Sequence, residues 1–248
     1  MDDDRNNSTL PDEILYNSLS FLPTEQAVAT SVLSKIWRPL WLSLTNINLD
    51  YESYLERFRS YSGLKSMIKK TFYERGVHRR PIERISIRGL PSCKRPDFLA
   101  MKLEDETGLD MLFFSPFVMP LPIFSFRALD FLKLKVISIE FGFYGRTINF
   151  PLLKTLHLND VAFFDDSHFV RMLNGCPFLE DLEAHDILFK GWSFEQEYCK
   201  DLPKLVRASI SGASNSYIPL KALRNVKFLR FEQGAVEVPM FGDDKLGA

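Results

Sequence analysis

The sequence has 248 residues, of which 46% are hydrophobic and 25% charged, a composition typical of a globular protein with a sizeable core. Its 31 basic and 32 acidic residues give a net charge of −1, so we expect no nucleic-acid partner and no attraction to anionic membranes. The three cysteines, Cys93, Cys176 and Cys199, are too few and too scattered for a disulfide framework or a CxxC metal site. Together with the acidic start MDDDRNNSTL, which does not read as a secretory signal, they indicate a cytoplasmic or nuclear protein.

Short helices are predicted in close succession at the start of the chain. In LPDEILYNSL, Pro11 suits the first helical position, and the acidic residues after it suit the positive end of the helix dipole. Thr24 is a predicted N-cap for EQAVATSVL, and Ser34 for KIWRPLWL. Such short helices cannot bury all of their apolar side chains among themselves, so we expect the following domain or a partner protein to cover the rest.

Residues 45–81 have a charged, helical pattern and are predicted to be a connecting segment. Its basic run KKTFYERGVHRR is interrupted by Glu74 and by aromatic residues, which favours a solvated face over a nucleic-acid patch. The stretch 109–126 is apolar enough to suggest a membrane span, but it contains three prolines and an aspartate. We therefore predict no membrane span there, but a buried strand followed by a proline-rich connection.

A six-residue pattern recurs after Pro81, with apolar or small residues at positions one, four and six. A strand of this kind with a returning segment cannot bury its inner face alone, whereas stacked copies form a parallel sheet with a shared core. Successive starts are 20 to 27 residues apart, in or near the range of about 20 to 29 for leucine-rich repeats. The units begin at Ile82, Leu109, Leu129, Leu153, Leu179, Leu205 and Val226, and an earlier unit, LTNINL, begins at Leu44.

The stretch DDSHFVRMLNGCPFLEDL illustrates the predicted return between two strands. Residues Asp165 to Ser167 can cap a short helix, and Gly175 with Pro177 can end it. Cys176 is predicted to be a small buried residue of this turn.

The first 50 residues resemble the F-box of plant F-box/leucine-rich-repeat proteins, including relatives of the FBD type. The resemblance is carried by LPDEILYNSLSFLPTEQAVATSVLSKIWRPLWLSLTNINLD, and FPLLKTLHLNDVAF with MLNGCPFLEDL is similar to the repeats of these proteins. It implies an α/β fold in which a three-helix F-box (8–44) and the connecting segment precede a leucine-rich-repeat solenoid (82–240) with a curved parallel β-sheet.

The resemblance also implies a function, that of a substrate-recognition subunit of SCF-type ubiquitin ligases. The implied partners are a Skp-family adaptor, the cullin and RING subunits reached through it, and an unknown protein substrate; no cofactor and no catalysis are implied. An F-box and repeat scaffold that acts outside a ligase is the alternative. Since many relatives continue into a further C-terminal domain, we expect the end of the solenoid, near VPMFGDDKLGA, to expose core.

The residues matching the family motif are expected to contact the adaptor or to support the contact. Ser18 and Ile36 depart from the usual residues of the motif. If the position of Ser18 is covered by the adaptor, serine would remove roughly 1 to 3 kcal/mol of the binding free energy that apolar burial supplies. The expected contact residues are Leu10, Pro11, Ile14, Leu15, Leu19, Leu22, Pro23, Val32, Ser34, Lys35 and Trp37.

An enzyme is the rival class of function. The sequence has no P-loop, GxGxxG, GxSxG or HExxH motif. Its best candidate is DLEAH, where Asp181, Glu183 and His185 alternate on one strand face beside His157 of the neighbouring strand. Polar residues are ordinary on the exposed face of a repeat sheet, so we expect neither a metal site nor a catalytic site there.

The side chains at positions three, five and seven of each unit must point away from the core, to the concave face. We expect this face to bind the substrate, with an acidic substrate segment near Lys133 and Lys135. The alternative for its aromatic residues Phe113 and Phe131 is that the proline-rich connection folds over them. The candidate substrate-binding residues are Arg84, Arg88, Phe113, Phe131, Lys133, Lys135, His157, Asp181, Glu183 and His185.

Overall fold

A computed structural model describes residues 11–30, 33, 37–58, 61–73, 80–89, 123, 126–139, 148–191, 198–211 and 220–232. Helices precede a parallel β-sheet. The α-helices are α1 (Asp12–Ser20), α2 (Thr24–Ala29), α3 (Trp37–Leu40), α4 (Tyr51–Phe58), α5 (Tyr61–Ile68) and α6 (Asp166–Asn174). Shorter helical turns cover Trp41–Ser43, Lys69–Tyr73 and Leu220–Leu223. The strands are β1 (Asn46–Asp50), β2 (Arg84–Arg88), β3 (Phe131–Ile139), β4 (Thr155–Phe163), β5 (Asp181–His185), β6 (Leu188–Phe189), β7 (Arg207–Ser211) and β8 (Phe228–Glu232).

The strands form one open parallel sheet in the order β1-β2-β3-β4-β5-β7-β8, and β6 pairs with the end of β4. Each strand begins two residues after the first apolar position of its unit. In the unit of Leu153, for example, Leu153, Leu156 and Leu158 are all fully buried. The predicted pattern of positions one, four and six is therefore the pattern that fills the shared core.

Two details of the repeat prediction are resolved by the strand order. The earlier unit at Leu44 is confirmed, because β1 pairs with β2 in register and places Leu44, Ile47 and Leu49 in the core. The sheet thus begins inside residues 45–81. The predicted strand at Leu109 does not lie between the strands of the Ile82 and Leu129 units, because β2 pairs directly with β3. That part of the prediction is wrong. Residues 109–122 themselves lie outside the described residues.

One residue at the same repeat position, inside β3 and β4 and directly after β5, has a left-handed backbone. The φ angles are 53° at Val136, 54° at Asp160 and 51° at Asp186. Each is the eighth residue of its unit. The residues directly before them, Lys135, Asn159 and His185, pair with one another across β3, β4 and β5. Glycine occupies this position in the units that begin at Ile82 and Leu205. These three units therefore place a left-handed residue here, a conformation that glycine and aspartate tolerate and that strains valine. The unit at Leu44 differs, since its eighth residue, Tyr51, begins α4.

The return segment between β4 and β5 follows the prediction closely. Asp165 caps α6 by accepting a hydrogen bond from the backbone N–H of His168 at 3.1 Å, and Gly175 follows the last helical residue. Cys176 is fully buried. A Cβ on Gly175 would lie 2.8 Å from the carbonyl oxygen of Ile148, so the close packing of two returns requires glycine.

The N-terminal helices pack on the first strand of the sheet. Thr24 is not the N-cap of α2 as predicted, because the helix begins at Thr24 itself and Pro23 precedes it. The buried Thr24 hydroxyl instead accepts a hydrogen bond from the backbone N–H of Asn48 in β1, at 2.9 Å. Trp41 is buried in the same core as Leu49. The helices therefore cover the open edge of β1, which would otherwise be free to pair with another chain.

Candidate partner-binding surfaces

Large apolar side chains are exposed on and beside the first two helices. Phe21 is 86% exposed, Leu33 68%, Ile14 49% and Leu22 37%. Ile14 and Phe21 lie seven residues apart, about two helical turns, a spacing that places residues on one side of a helix. Exposed apolar residues in such number are typical of a protein-binding surface.

The predicted adaptor residues divide into an exposed group and a buried group. Ile14 and Pro11 are exposed, Leu22 is exposed less fully, and Pro23 is half-buried. Leu15 and Leu19 are buried and can act only as support for a contact, whereas Trp37 is partly buried and packs against the core. Leu10, Val32, Ser34 and Lys35 lie outside the described residues.

Sequence reasoning missed Phe21 and Leu33. A signal for Phe21 existed in the FLP element, where an apolar residue follows α1 and precedes the proline before α2. Ser18 is exposed, and its hydroxyl donates to the carbonyl of Ile14 at 2.9 Å within α1. The chain itself therefore loses no buried apolar area at Ser18.

Positions three, five and seven of the units form three rows across the outer face of the sheet, the face opposite the core. The middle row, position five, brings Lys133, His157 and Glu183 into register on adjacent strands. The first row runs Arg84, Phe131, Thr155, Asp181 and Arg207, and the third runs Arg88, Lys135, Asn159, His185 and Ser211. The predicted alternation of side chains between the core and the outer face is thus confirmed. It places most of the candidate substrate-binding residues on one surface.

Phe131 does not stand free on this face. The Arg84 guanidinium lies over its ring, 4.1 Å from the centroid, and the ring of His157 meets it edge-on at 5.5 Å. Arg84 also lies 3.6 Å from the carboxylate of Asp130. Phe113, which was expected beside Phe131, lies outside the described residues, and the neighbour of Phe131 on β2 is Arg84.

Several charges on the face are already paired. Arg88 contacts Asp50 at 3.2 Å and Glu52 at 2.9 Å, and Arg207 contacts Asp181 at 3.0 Å. The His185 ring lies 2.7 Å from the Ser211 hydroxyl. These contacts hold the rims of the face and leave its middle row for further interaction.

The charges of the middle row are arranged from basic to acidic. Lys133 and the neighbouring Lys135 are exposed and form no ion pair within the part of the chain described. His157 Nδ1 lies 3.4 Å from Glu183 Oε2. Burial lowers the pKa of His157, although the carboxylates of Glu183 and Asp181 act against this shift. His157 is therefore neutral near pH 7 and adds no positive charge beside Glu183.

Neither a metal centre nor a membrane helix is found in the described parts of the chain. No group of three or more His, Cys, Asp or Glu residues among them is arranged to hold a metal ion. The helices described are too short or too polar to cross a bilayer. The apolar stretch 109–126 lies mostly outside the residues covered by these statements.

Comparison with known proteins gives two family matches. The F-box domain family matches residues 7–48, and the leucine-rich repeats of the FBD-associated F-box protein At5g56370 match residues 103–195. The F-box/LRR-repeat protein At4g14103 of Arabidopsis thaliana is 30% identical over 243 residues, which cover 90% of this chain and 61% of that protein. The Arabidopsis F-box/FBD/LRR-repeat protein At2g04230 is 32% identical over 190 residues, covering 72% of this chain and 42% of that protein.

The class of the protein follows from the fold and these matches together. An open parallel sheet of short repeats, preceded by helices that match the F-box, defines an F-box protein with leucine-rich repeats. The predicted resemblance is confirmed: the chain is a protein of the plant F-box/leucine-rich-repeat kind. It spans 61% of the length of the first relative named above and 42% of the second.

Proposed function

We propose that the protein is the substrate-recognition subunit of a cullin-based ubiquitin ligase of the SCF type, in the cytosol or the nucleus. The observation that supports this proposal most directly is the exposure of Ile14, Phe21, Leu22 and Leu33 on or near the first two helices, within the residues that match an F-box. F-box domains generally bind Skp-family adaptors. In this proposal the adaptor covers these side chains and links the protein to the cullin and RING subunits.

The exposed phenylalanine is the strongest single contact expected. Burying a leucine or phenylalanine side chain stabilises a complex by roughly 1.5 to 3 kcal/mol, and about 1.4 kcal/mol corresponds to a tenfold change in affinity. A charge placed at Phe21 must also be desolvated in the interface. We therefore expect Phe21→Asp to weaken adaptor binding by about tenfold or more, and Leu22→Asp by a comparable factor.

Copurification with a Skp-family adaptor tests this assignment. Phe21→Asp and Leu22→Asp are compared with Leu152→Asp, which introduces the same charge at a leucine that is 55% exposed and lies outside the N-terminal helices. We expect the control to copurify with the adaptor like the wild type and the two F-box variants to lose it. Undiminished adaptor binding by folded Phe21→Asp and Leu22→Asp would overturn the adaptor assignment. Adaptor binding without any cullin would favour the scaffold alternative.

The outer face of the sheet is the proposed site for the target protein. It carries aromatic and basic residues near β3 and acidic residues on β5, and an acidic segment of the target is expected near Lys133 and Lys135. Replacing Phe131 by Ala together with Lys133 by Glu is expected to change the set of proteins captured. Adaptor binding serves as the internal control, because both positions lie on β3, far along the chain from the F-box.

No catalytic role is assigned to the chain itself. We propose that it acts by holding a target near a ubiquitin-loaded enzyme carried elsewhere in the complex. Ubiquitin transfer by the isolated chain, without adaptor and cullin, would contradict this.

A further inference from the structure

The middle row of the outer face has a charge pattern of fixed width. Lys133, His157 and Glu183 occupy the same position on three adjacent strands. Neighbouring strands lie about 4.8 Å apart, so the lysine and the glutamate backbones are about 9.6 Å apart. With the lysine and glutamate side chains extended straight from the sheet, a ligand that meets both charges presents an acidic and a basic group on one side at about this spacing.

The spacing distinguishes between the conformations of a bound peptide. In a β-strand, side chains on one side repeat at about 6.7 or 13 Å, neither of which matches the row. In a polyproline II helix, which has three residues per turn and a rise of about 3.1 Å, residues i and i+3 lie on one side about 9.3 Å apart. An α-helix offers about 10.5 Å between i and i+7, but a short isolated helix must first be nucleated, whereas polyproline II is a major conformer of unfolded chains.

The histidine at the centre of the row favours a ligand whose backbone N–H groups are not used in internal hydrogen bonds. His157 Nδ1 lies 3.4 Å from Glu183 Oε2. In the neutral tautomer that carries its proton on Nδ1, facing this carboxylate, Nε2 is an acceptor. This Nε2 is buried and makes no hydrogen bond with any described residue. A polyproline II chain has no internal hydrogen bonds, so a backbone N–H between its two charged residues is free to donate to Nε2 once the surrounding side chains move to expose this atom.

We propose that the outer face recognises an extended segment with an acidic residue at i and a basic residue at i+3, bound in the polyproline II conformation across β3, β4 and β5. The acidic residue pairs with Lys133, with Lys135 adjacent, and the basic residue pairs with Glu183. This inference rests on the proposed function, in which the outer face binds the target, and it specifies the chemistry of the recognised segment.

Fluorescence anisotropy with labelled peptides tests the pattern on the full chain at low salt, where exposed charges are least screened. The probe is Pro-Pro-Asp-Ala-Pro-Lys-Pro-Pro. One comparison peptide moves the lysine to i+2, and another carries the two charges at i and i+7 in an alanine-rich helix. We expect the probe to bind about tenfold more tightly than the i+2 peptide, a difference of about 1.4 kcal/mol. Equal binding of the two, tighter binding of the helical peptide, or no binding of the probe would overturn the proposal.

Charge reversal in the protein supplies the matched test. Lys133→Glu is expected to lose preference for the probe and to prefer a Lys-Ala-Pro-Lys core, while Glu183→Lys is expected to prefer an Asp-Ala-Pro-Asp core. These expectations hold for either direction of the bound chain. Unchanged preferences in folded variants would overturn the proposal. Adaptor copurification by the same variants separates the two questions, because loss of adaptor binding bears on the proposed function and loss of peptide preference bears only on this inference.

Discussion

Replacing Asp160 by valine tests the left-handed position of the repeat. Asp160 is exposed and has a φ angle of 54°, so the substitution removes no buried contact but places a β-branched side chain in a left-handed backbone. That conformation costs an L residue roughly 1 to 2 kcal/mol, and aspartate and asparagine are among the residues that tolerate it best. Ordinary surface substitutions change stability by less than about 0.5 kcal/mol. We therefore expect Asp160→Val to destabilise the protein by about 1 to 2 kcal/mol.

Thermal and urea unfolding measure this loss. For a chain of this size 1 kcal/mol corresponds to about 2 to 4 °C in melting temperature, so the expected decrease is about 2 to 8 °C. Asp160→Asn is the control, since it removes the charge and keeps a residue that accepts a positive φ. The reciprocal change, Val136→Asn, relieves the same strain at φ 53° and loses only part of a half-buried side chain. Stability of Asp160→Val within 0.5 kcal/mol of Asp160→Asn would refute the assigned strain.

Three further predictions concern packing and pH. Gly175→Ala brings a Cβ to 2.8 Å from the carbonyl oxygen of Ile148, so we expect a loss of roughly 1 to 3 kcal/mol in urea unfolding, against little change for Gly191→Ala, whose nearest contact is 3.5 Å. Burial raises the pKa of Cys176 from 9.0 to about 12, so above pH 9 the unfolded chain releases a proton that the folded chain keeps. The free energy of unfolding should therefore fall by about 1 kcal/mol between pH 9 and 10. The same pH dependence in Cys176→Ala would disprove this. Burial lowers the pKa of His157 from 6.5, so below pH 6.5 the unfolded chain binds a proton that the folded chain does not, and the free energy of unfolding falls. We expect His157→Gln to show a smaller difference in unfolding free energy between pH 5.5 and 7.5 than the wild type, as measured by urea denaturation.

The repeat units and their faces were predictable because they depend on local periodicity. A strand alternates its side chains between two faces, so the spacing of Leu153, Leu156 and Leu158 already separates core from surface. The ends of α6 were predictable for a similar reason, since the Asp165 cap and Gly175 act within a few residues of the helix. Four of the eight units carry glycine or aspartate at the eighth position, a recurrence typical of a left-handed residue, whereas Val136 adopts this conformation without such a signal.

The sequence by itself therefore determined the repeating strand, its buried and outer faces, and the F-box resemblance at the start. Only the tertiary structure decided that β2 pairs directly with β3, that Thr24 and Leu19 serve the packing of the N-terminal helices while Phe21 remains exposed, and that Arg84 covers the Phe131 ring. The physical reason is that periodicity and caps act between residues close in the chain. Strand order, coverage of an apolar side chain and the partner of a charge depend on contacts between residues far apart in the chain, such as Thr24 with Asn48 or Arg207 with Phe228. No local pattern encodes which distant segment supplies them.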